Sequence, residues 1–255
     1  MRRTALIGHT GFVGSNLAAQ AEFAERFNSK NIEEMRGRAY DLVVCAGVSA
    51  VKWWANQHPA EDQAGIARLT DVLATVSAER FVLTSTIDVY PVPNGVDEST
   101  PLEGVSNHAY GTHRYALERF VERFPKRHVI RLPGLFGRGL KKNVIFDLLN
   151  DNCLDAINPD SVFQYYDLGR IWADVQRVIE LELPLVNFAT EPVPTRAILE
   201  AFFPTKSVGQ KPAGVARYDM RTLHGPAFGG TPGYLYGADA TLAALGRFVA
   251  EARGT

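Results

Sequence analysis

Cysteine is scarce: Cys45 and Cys153 are the only two in 255 residues. A pair separated by 108 positions gives no disulfide framework and suits a reducing compartment, so a cytoplasmic location is expected. An excess of either charge is also lacking. Against 27 Lys and Arg stand 28 Asp and Glu, a formal net charge of −1. That balance excludes gripping nucleic acid through a basic field, and it is unlike a disordered or acidic-tailed chain. Long apolar runs are missing as well. The longest nearly apolar stretch, residues 42–51, is far short of the ~20 residues that a membrane span needs. The apolar opening at residues 5–7 breaks at Gly8, too early for a secretory signal peptide. The six histidines (9, 58, 108, 113, 128 and 224) are scattered. His108 and His113, five apart, do not share a helical face, so no metal site is expected.

What is present is enough apolar material, 46% of the residues, to bury a large core without staples. Residues 4–7 read as a short buried strand, 15–24 as a helix, 23–28 as a second strand and 31–35 as another helix start. Residues 41–46 are a β-branched strand ended by Gly47. Residues 60–77 are helical, with Ile66, Leu69, Val72, Leu73 and Val76 at steps of three and four. A strand at 80–84, a loop over 91–107, a helix at 113–124 and a strand at 129–132 follow. This alternation predicts an α/β fold, a doubly wound parallel sheet with helices on both faces. Beyond residue 134 the pattern loosens. Helices are expected at 144–149, 168–183, 195–203 and 240–252, a strand at 185–189, and a Gly- and Pro-rich segment over 204–237. The chain is therefore divided into a Rossmann-type domain, 1–137, and a smaller C-terminal lobe, 138–255, whose strand near 185–189 returns to the sheet.

Between the first strand and the first helix stand Gly8, Gly11 and Gly14. In such an array the first glycine permits a tight turn, the second lets backbone approach a pyrophosphate, and the third lets helix pack on strand. The helix start adds free N–H groups and a positive dipole end. No Lys follows where a nucleotide-triphosphate loop requires one. Gly8, Thr10, Gly11, Phe12, Val13 and Gly14 are thus candidate cofactor contacts.

Three further segments carry a resemblance. Residues 83–91, Leu-Thr-Ser-Thr-Ile-Asp-Val-Tyr-Pro, are similar to a strand end with a catalytic Ser or Thr ahead of Val-Tyr-Gly. Residues 97–103 lead to Tyr110-Gly111-Thr112-His113-Arg114 and Glu118, much like an acidic-Thr-Pro loop and a Tyr-x-x-x-Lys helix. Residues 131–139, Arg-Leu-Pro-Gly-Leu-Phe-Gly-Arg-Gly, are similar to a stretch lining the nicotinamide. Over roughly the first 140 residues the chain resembles the extended short-chain dehydrogenase/reductase family, which includes nucleotide-sugar epimerases, dehydratases and dTDP-4-dehydrorhamnose reductases.

The resemblance implies a catalytic set of Thr86, Tyr110 and Arg114. A tyrosine can pass a proton to or from a sugar oxygen, but its ordinary pKa of ~10 calls for a nearby cation if it is to act as a base near neutrality. Residues 110 and 114 stand four apart, on one helical face. Arg114 occupies the position of the family's Lys, and the helix over 60–77 lacks a supporting Asn. Arginine is charged but planar and bulkier than an ammonium, which keeps open a second reading, a non-catalytic NAD(P)-binding sensor. Reduction of a non-sugar carbonyl is a third. The implied cofactor contacts are Cys45, Ala46, Gly47, Thr84, Tyr110, Arg114, Leu132, Pro133, Gly134 and Leu135. Ser85, Thr86, Asp88, Asn143 and Gln164 are implied toward a nucleotide-sugar substrate, with Tyr165, Tyr166 and Arg221 as weaker candidates.

For the adenosine end, residues 27–31 hold no carboxylate to bond ribose hydroxyls. Ser29 and Lys30 suit either a 2′-phosphate or an ordinary loop after a strand, so the reading leans slightly to NADP over NAD, and Asn28 is a further candidate cofactor contact. Glu25 is the NAD ligand if the second strand ends early. Glu98 is expected to tie down Thr100 and Pro101, Cys45 to be a core residue, and Trp53 and Trp54 either to wall a pocket or to pack. The resemblance also implies a homodimer through the helix of Tyr110, where Tyr115, Phe120 and Phe124 are offered.

Overall fold

Strand and helix alternate from the start of the computed structural model, which describes residues 3–254. The order is β1 (Thr4–Ile7), α1 (Phe12–Gln20), β2 (Glu25–Phe27), β3 (Ala39–Cys45), α2 (Lys52–Gln57), α3 (Pro59–Leu73), β4 (Ser77–Thr86) and β5 (Asn94–Val96). Then come α4 (Ala109–Val121), β6 (Lys126–Leu132), β7 (Gly134–Phe136), α5 (Val144–Asn150), β8 (Val162–Phe163) and β9 (Tyr165–Asp167). The last are α6 (Ile171–Glu180), β10 (Leu185–Asn187), β11 (Val193–Pro194), α7 (Thr195–Phe202), β12 (Asp219–Met220) and α8 (Ala238–Ala252). None of these helices is long and apolar enough to cross a membrane.

The chain forms two compact units that interleave in sequence, where the sequence suggests a single boundary near residue 137. The first comprises residues 1–92, 100–131 and 171–186; the second comprises 93–99, 132–170 and 187–255.

The first unit carries a six-stranded sheet in the order β10-β6-β4-β3-β1-β2. The pairs β1/β2, β1/β3 and β3/β4 are parallel, with Ile7 beside both Phe27 and Cys45, and Cys45 beside Leu83. Because side chains alternate along a strand, Ala5, Ile7, Val43, Cys45, Phe81 and Leu83 share one face. There they pack with Ile66, Leu69, Val72 and Leu73 of α3 and Leu117 and Val121 of α4. Leu6, Val44 and Val82, equally buried, point the other way. Pro59 at the helix start and Glu61 and Asp62 in its first turn favour the beginning of α3. The strand order reverses at β1, so the loops after β1 and β3 flank a switch point, the place where open α/β sheets bind ligands.

The second unit is built from short pieces: β7/β9 parallel, β8/β11 antiparallel and β5/β12 parallel. Its core joins Phe136, Ile145, Leu148, Tyr165, Val193, Ile198 and Leu245. Glu98 accepts hydrogen bonds from Asn187 N, Thr222 Oγ1 and Leu223 N at 2.7, 2.6 and 2.8 Å. It therefore holds together residues 89 to 125 positions away.

Candidate active site

The glycine loop is shaped by backbone crowding. Gly8 has φ +84°, and a Cβ there would lie 2.3 Å from the Ala46 carbonyl oxygen; one on Gly14 would lie 2.0 Å from the Gly8 oxygen. Gly11 is less confined, with its nearest neighbour at 3.3 Å. Gly8 N donates to Phe27 O at 2.7 Å, and Gly11 N to Gly8 O at 2.9 Å. Helix α1 starts at Phe12 with no side chain capping its amides, so Phe12 and Val13 belong to an anion-favouring helix start. Thr10 and Gly11 are exposed. A bare loop whose first and third glycines admit no side chain, ahead of an uncapped helix start, fits the pyrophosphate of a dinucleotide.

At the end of β2, Asn28 N donates to Asn31 Oδ1 at 2.8 Å, and Asn28 Oδ1 accepts from Lys30 N at 2.9 Å. Asn28 Nδ2 lies 3.3 Å from His9 Nε2. Ser29 and Lys30 are exposed in the turn. Glu25 opens β2 rather than ending it, and it binds Arg3, Arg38 and Tyr40 at 2.8 to 2.9 Å. Burial alone would raise its carboxyl, but those three partners bring it below the usual range. After β3, Ala46 N donates to Ile7 O at 2.9 Å. The Cys45 side chain is fully buried and its thiol is pushed up to about 11 by that burial, so only its backbone is available. Thr84 Oγ1 donates to that backbone carbonyl at 3.2 Å.

Tyr110, 6% exposed, lies in the first turn of α4. The expected helix starts at residue 113; it begins at Ala109 instead, because the His108 ring caps it by accepting from Gly111 N at 3.0 Å. Gly111 is required: a Cβ there would lie 2.2 Å from the Asp88 carbonyl oxygen. Asn56 Oδ1 accepts from Tyr110 N at 3.0 Å, and Asn107 Nδ2 donates to the carbonyls of Asp88 and Val89. Thr86 Oγ1 accepts from Asp88 N at 3.1 Å and donates to Asp88 Oδ2 at 3.4 Å, and the Asp88 carboxylate pairs with Lys52 at 2.6 Å. Burial holds the Tyr110 phenol above its ordinary value, with Arg114 and the Thr86 hydroxyl acting the other way without prevailing. The expected lowering by Arg114 is thus outweighed.

Sequence reasoning brings together Thr86, Asp88, Tyr110 and Arg114, and it misses Lys52, Asn56, Asp62 and Asn107. Asp62 left a trace: it stands four before Ile66, an acid in the register of the apolar stripe. Ser85 turns inward, donating to buried Glu118 at 2.5 Å. The remaining candidates fall in the second unit. Leu132 and Pro133 are buried, Leu135 is half-buried, and Gly134 is exposed with its Cβ position 2.7 Å from the Gln164 carbonyl oxygen. Asn143 caps α5 through Oδ1, to Ile145 N and Phe146 N, while its Nδ2 donates to Leu135 O. Gln164, 2% exposed, bonds Thr190 O and both backbone groups of Met220. Both amides are engaged inside the fold. Of the aromatics offered for a dimer, Phe124 stacks on Phe81 at 4.4 Å and Phe120 packs on the same core. Trp54 stacks on His58 at 5.1 Å, and Trp53 is 62% exposed.

A parallel sheet reversing at a glycine loop, with Thr86 at a neighbouring strand end and buried Tyr110 in the first turn of α4, defines a Rossmann-type protein of the dehydrogenase/reductase kind. A family model described as "NAD dependent epimerase/dehydratase family" matches residues 25–153, and the chain belongs to that family. No curated protein matches it in sequence. Among solved structures it is similar to a UDP-glucose 4-epimerase from Thermotoga maritima, with 16% identity, 98% of each chain covered and a TM-score of 0.72. It is likewise similar to a dTDP-4-dehydrorhamnose reductase from Bacillus anthracis in complex with NADP, at 16% identity, 98% and 99% coverage and TM-score 0.71. A dTDP-glucose 4,6-dehydratase from Streptomyces venezuelae with NAD bound gives 17% identity, 99% and 98% coverage and TM-score 0.73. At these identities the likeness is one of fold.

Proposed function

We propose that the protein is an NAD(P)-dependent oxidoreductase or epimerase acting on a nucleotide-activated sugar. The reading is carried by buried Tyr110 in the first turn of α4 and half-buried Thr86 at the end of β4, in the unit that also holds the glycine loop. The nicotinamide, when bound, supplies or accepts a hydride. Gly8, Thr10, Gly11, Phe12, Val13 and Gly14 hold the pyrophosphate, and Ala46, Gly47 and the Cys45 backbone border the cofactor. Thr86 bonds the substrate oxygen to or from which Tyr110 moves a proton at its Oη. Residues 138–255 select the sugar nucleotide. The fold relatives described with UDP-glucose, or named for dTDP-sugars, support that substrate class. Exposed Ser29 and Lys30 favour NADP.

The test is a fluorescence titration of the purified chain with NADPH and with NADH, because reduced nicotinamide brightens in a dry pocket. Tighter binding of NADPH supports the assignment of Ser29 and Lys30, and tighter binding of NADH points to a retained cofactor and an epimerase. Absence of binding by both rules the reading out. One observation favours the sensor alternative, the engagement of Arg114 by the protein's own groups. Binding without turnover of any UDP- or dTDP-sugar would select it.

A further inference from the structure

Arg114 is 4% exposed, and its guanidinium is held by the protein on several sides. Nη1 donates to Asp62 Oδ2 at 2.5 Å and to the Tyr110 carbonyl at 3.3 Å. Nη2 donates to Asp62 Oδ1 at 2.8 Å and to the Ser49 carbonyl at 2.7 Å. Nε is buried without an acceptor among the described residues. The guanidinium carbon sits 3.9 Å from the centre of the Tyr110 ring, and His113 Nδ1 lies 2.7 Å from Asp62 Oδ2. A two-pronged arginine–carboxylate pair fixes orientation as well as charge, which a lysine ammonium does not. Both terminal nitrogens are therefore committed to Asp62 and to backbone, and the carboxylate offsets part of the field that a free cation would put on the phenol.

We propose that Asp62 is a positioning residue: by gripping both terminal nitrogens of Arg114 it makes the arginine a fixed, partly charge-compensated platform for the Tyr110 ring, and so favours Tyr110 as a proton donor. The direction of proton movement rests on the proposed function; the platform itself does not. Among the surrounding charges Arg114 favours ionisation of Tyr110, and Asp88, from the turn after β4, and then Asp62, from α3, oppose it more weakly. Lys52, from α2, is paired with Asp88. On its own helix side, the His108 ring is held below its ordinary value by burial and then by Lys52, and His113 is turned onto Asp62. His58 and Glu61 lie at the surface, 3.8 Å from one another.

The experiment is a pH titration of the full chain, without cofactor, following tyrosinate absorbance. A Tyr110→Phe chain is subtracted to isolate the one phenol. Tyr110 is expected to ionise above the ordinary ~10. Asp62→Asn leaves the guanidinium charge uncompensated, and the Tyr110 step should move down by about one pH unit, roughly tenfold in ionisation constant; Asp62→Glu should restore it. An unmoved step in folded Asp62→Asn overturns the proposal. Should that variant fail to fold, the double replacement Asp62→Leu with Arg114→Met removes both charges and keeps the volume, an exchange buried pairs tolerate well. A partly compensated platform predicts that its Tyr110 step rises by no more than about half a pH unit, whereas a free cation predicts a rise of about one unit. That rise would refute the proposal. Failure to bind NADPH or NADH would sink the oxidoreductase reading and leave this readout decisive for Asp62.

Discussion

Gly11 and Gly14 look alike in sequence and differ in what surrounds them. A methyl on Gly14 runs into the Gly8 carbonyl at 2.0 Å, and neither backbone can yield without reopening the β1–α1 turn. A methyl on Gly11 meets the same oxygen at 3.3 Å and the Ala46 oxygen at 3.9 Å, and stands on the exposed side of the loop. Gly14→Ala should therefore lower Tm by about 4 to 8 °C, from about 2 kcal/mol of overpacking. Gly11→Ala should change Tm by less than about 3 °C yet weaken NADPH binding at least about tenfold, about 1.4 kcal/mol. Thermal melts and the nicotinamide titration check both, and a Gly14→Ala chain that melts like the native one contradicts the packing argument. The role of each glycine was readable from its place between strand and helix. The partner of Arg114 was not, because Asp62 lies 52 positions away and only the packing of α3 on α4 brings the two together.

At the scale of elements, α4 is fastened to the sheet by charge as well as by apolar packing. Buried Glu118 of α4 receives three hydrogen bonds from Arg131 of β6, at 2.6 to 3.2 Å, and one from Ser85 of β4. Arg131 also donates to the Tyr90 hydroxyl at 2.6 Å. Both ions are at most 5% exposed. Removing one charge from such a pair leaves the other buried and uncompensated, at a cost of about 3 kcal/mol or more. Glu118→Gln should accordingly melt roughly 6 to 12 °C below the native chain. A shift under about 2 °C would show that the pair stabilises α4 little beyond its apolar contacts. Helix α3 was legible because its apolar residues repeat at steps of three and four, whereas β4 was legible only over its apolar run within 80–84, since it does not alternate along its length. Helix α2, six residues long with Trp53 exposed, carries no such period. The strands of the second unit are two or three residues long, too few for alternation to register, and their placement depends on Glu98 and Gln164 reaching distant backbone.

For the whole molecule, the perturbed acids and buried histidines set how stability follows pH. His128 in β6 is 2% exposed, its Nδ1 lies 2.7 Å from the Leu183 carbonyl, and its Nε2 is buried with no hydrogen-bond partner among the described residues. With Nδ1–H donating to that carbonyl, protonation would place a charge and a second N–H where nothing accepts it. Burial first, and then Arg80 and Lys126, hold its pKa below the ordinary 6.5, although the Leu183 bond acts the other way. The unfolded chain therefore takes up a proton near pH 6.5 that the folded chain refuses, so the free energy of unfolding falls as pH drops below that value. Asp62 and Glu25 follow the same sign at lower pH. Burial would raise both carboxyls, but Arg114 and His113 in one case, and Arg3, Tyr40 and Arg38 in the other, bring them below the usual range. Their contribution is complete above the ordinary carboxylate values of about 4 and is lost below them. Urea midpoints of the native chain should thus decline in two stages, one beginning near pH 6.5 and one near pH 4. His128→Phe, which keeps the ring volume and has no proton to gain, should shrink the first stage to the part that His108 contributes and leave the second. A native chain equally stable at pH 7 and pH 5 would mean that His128 finds water or a partner on protonation, and that β6 opens more readily than its burial implies.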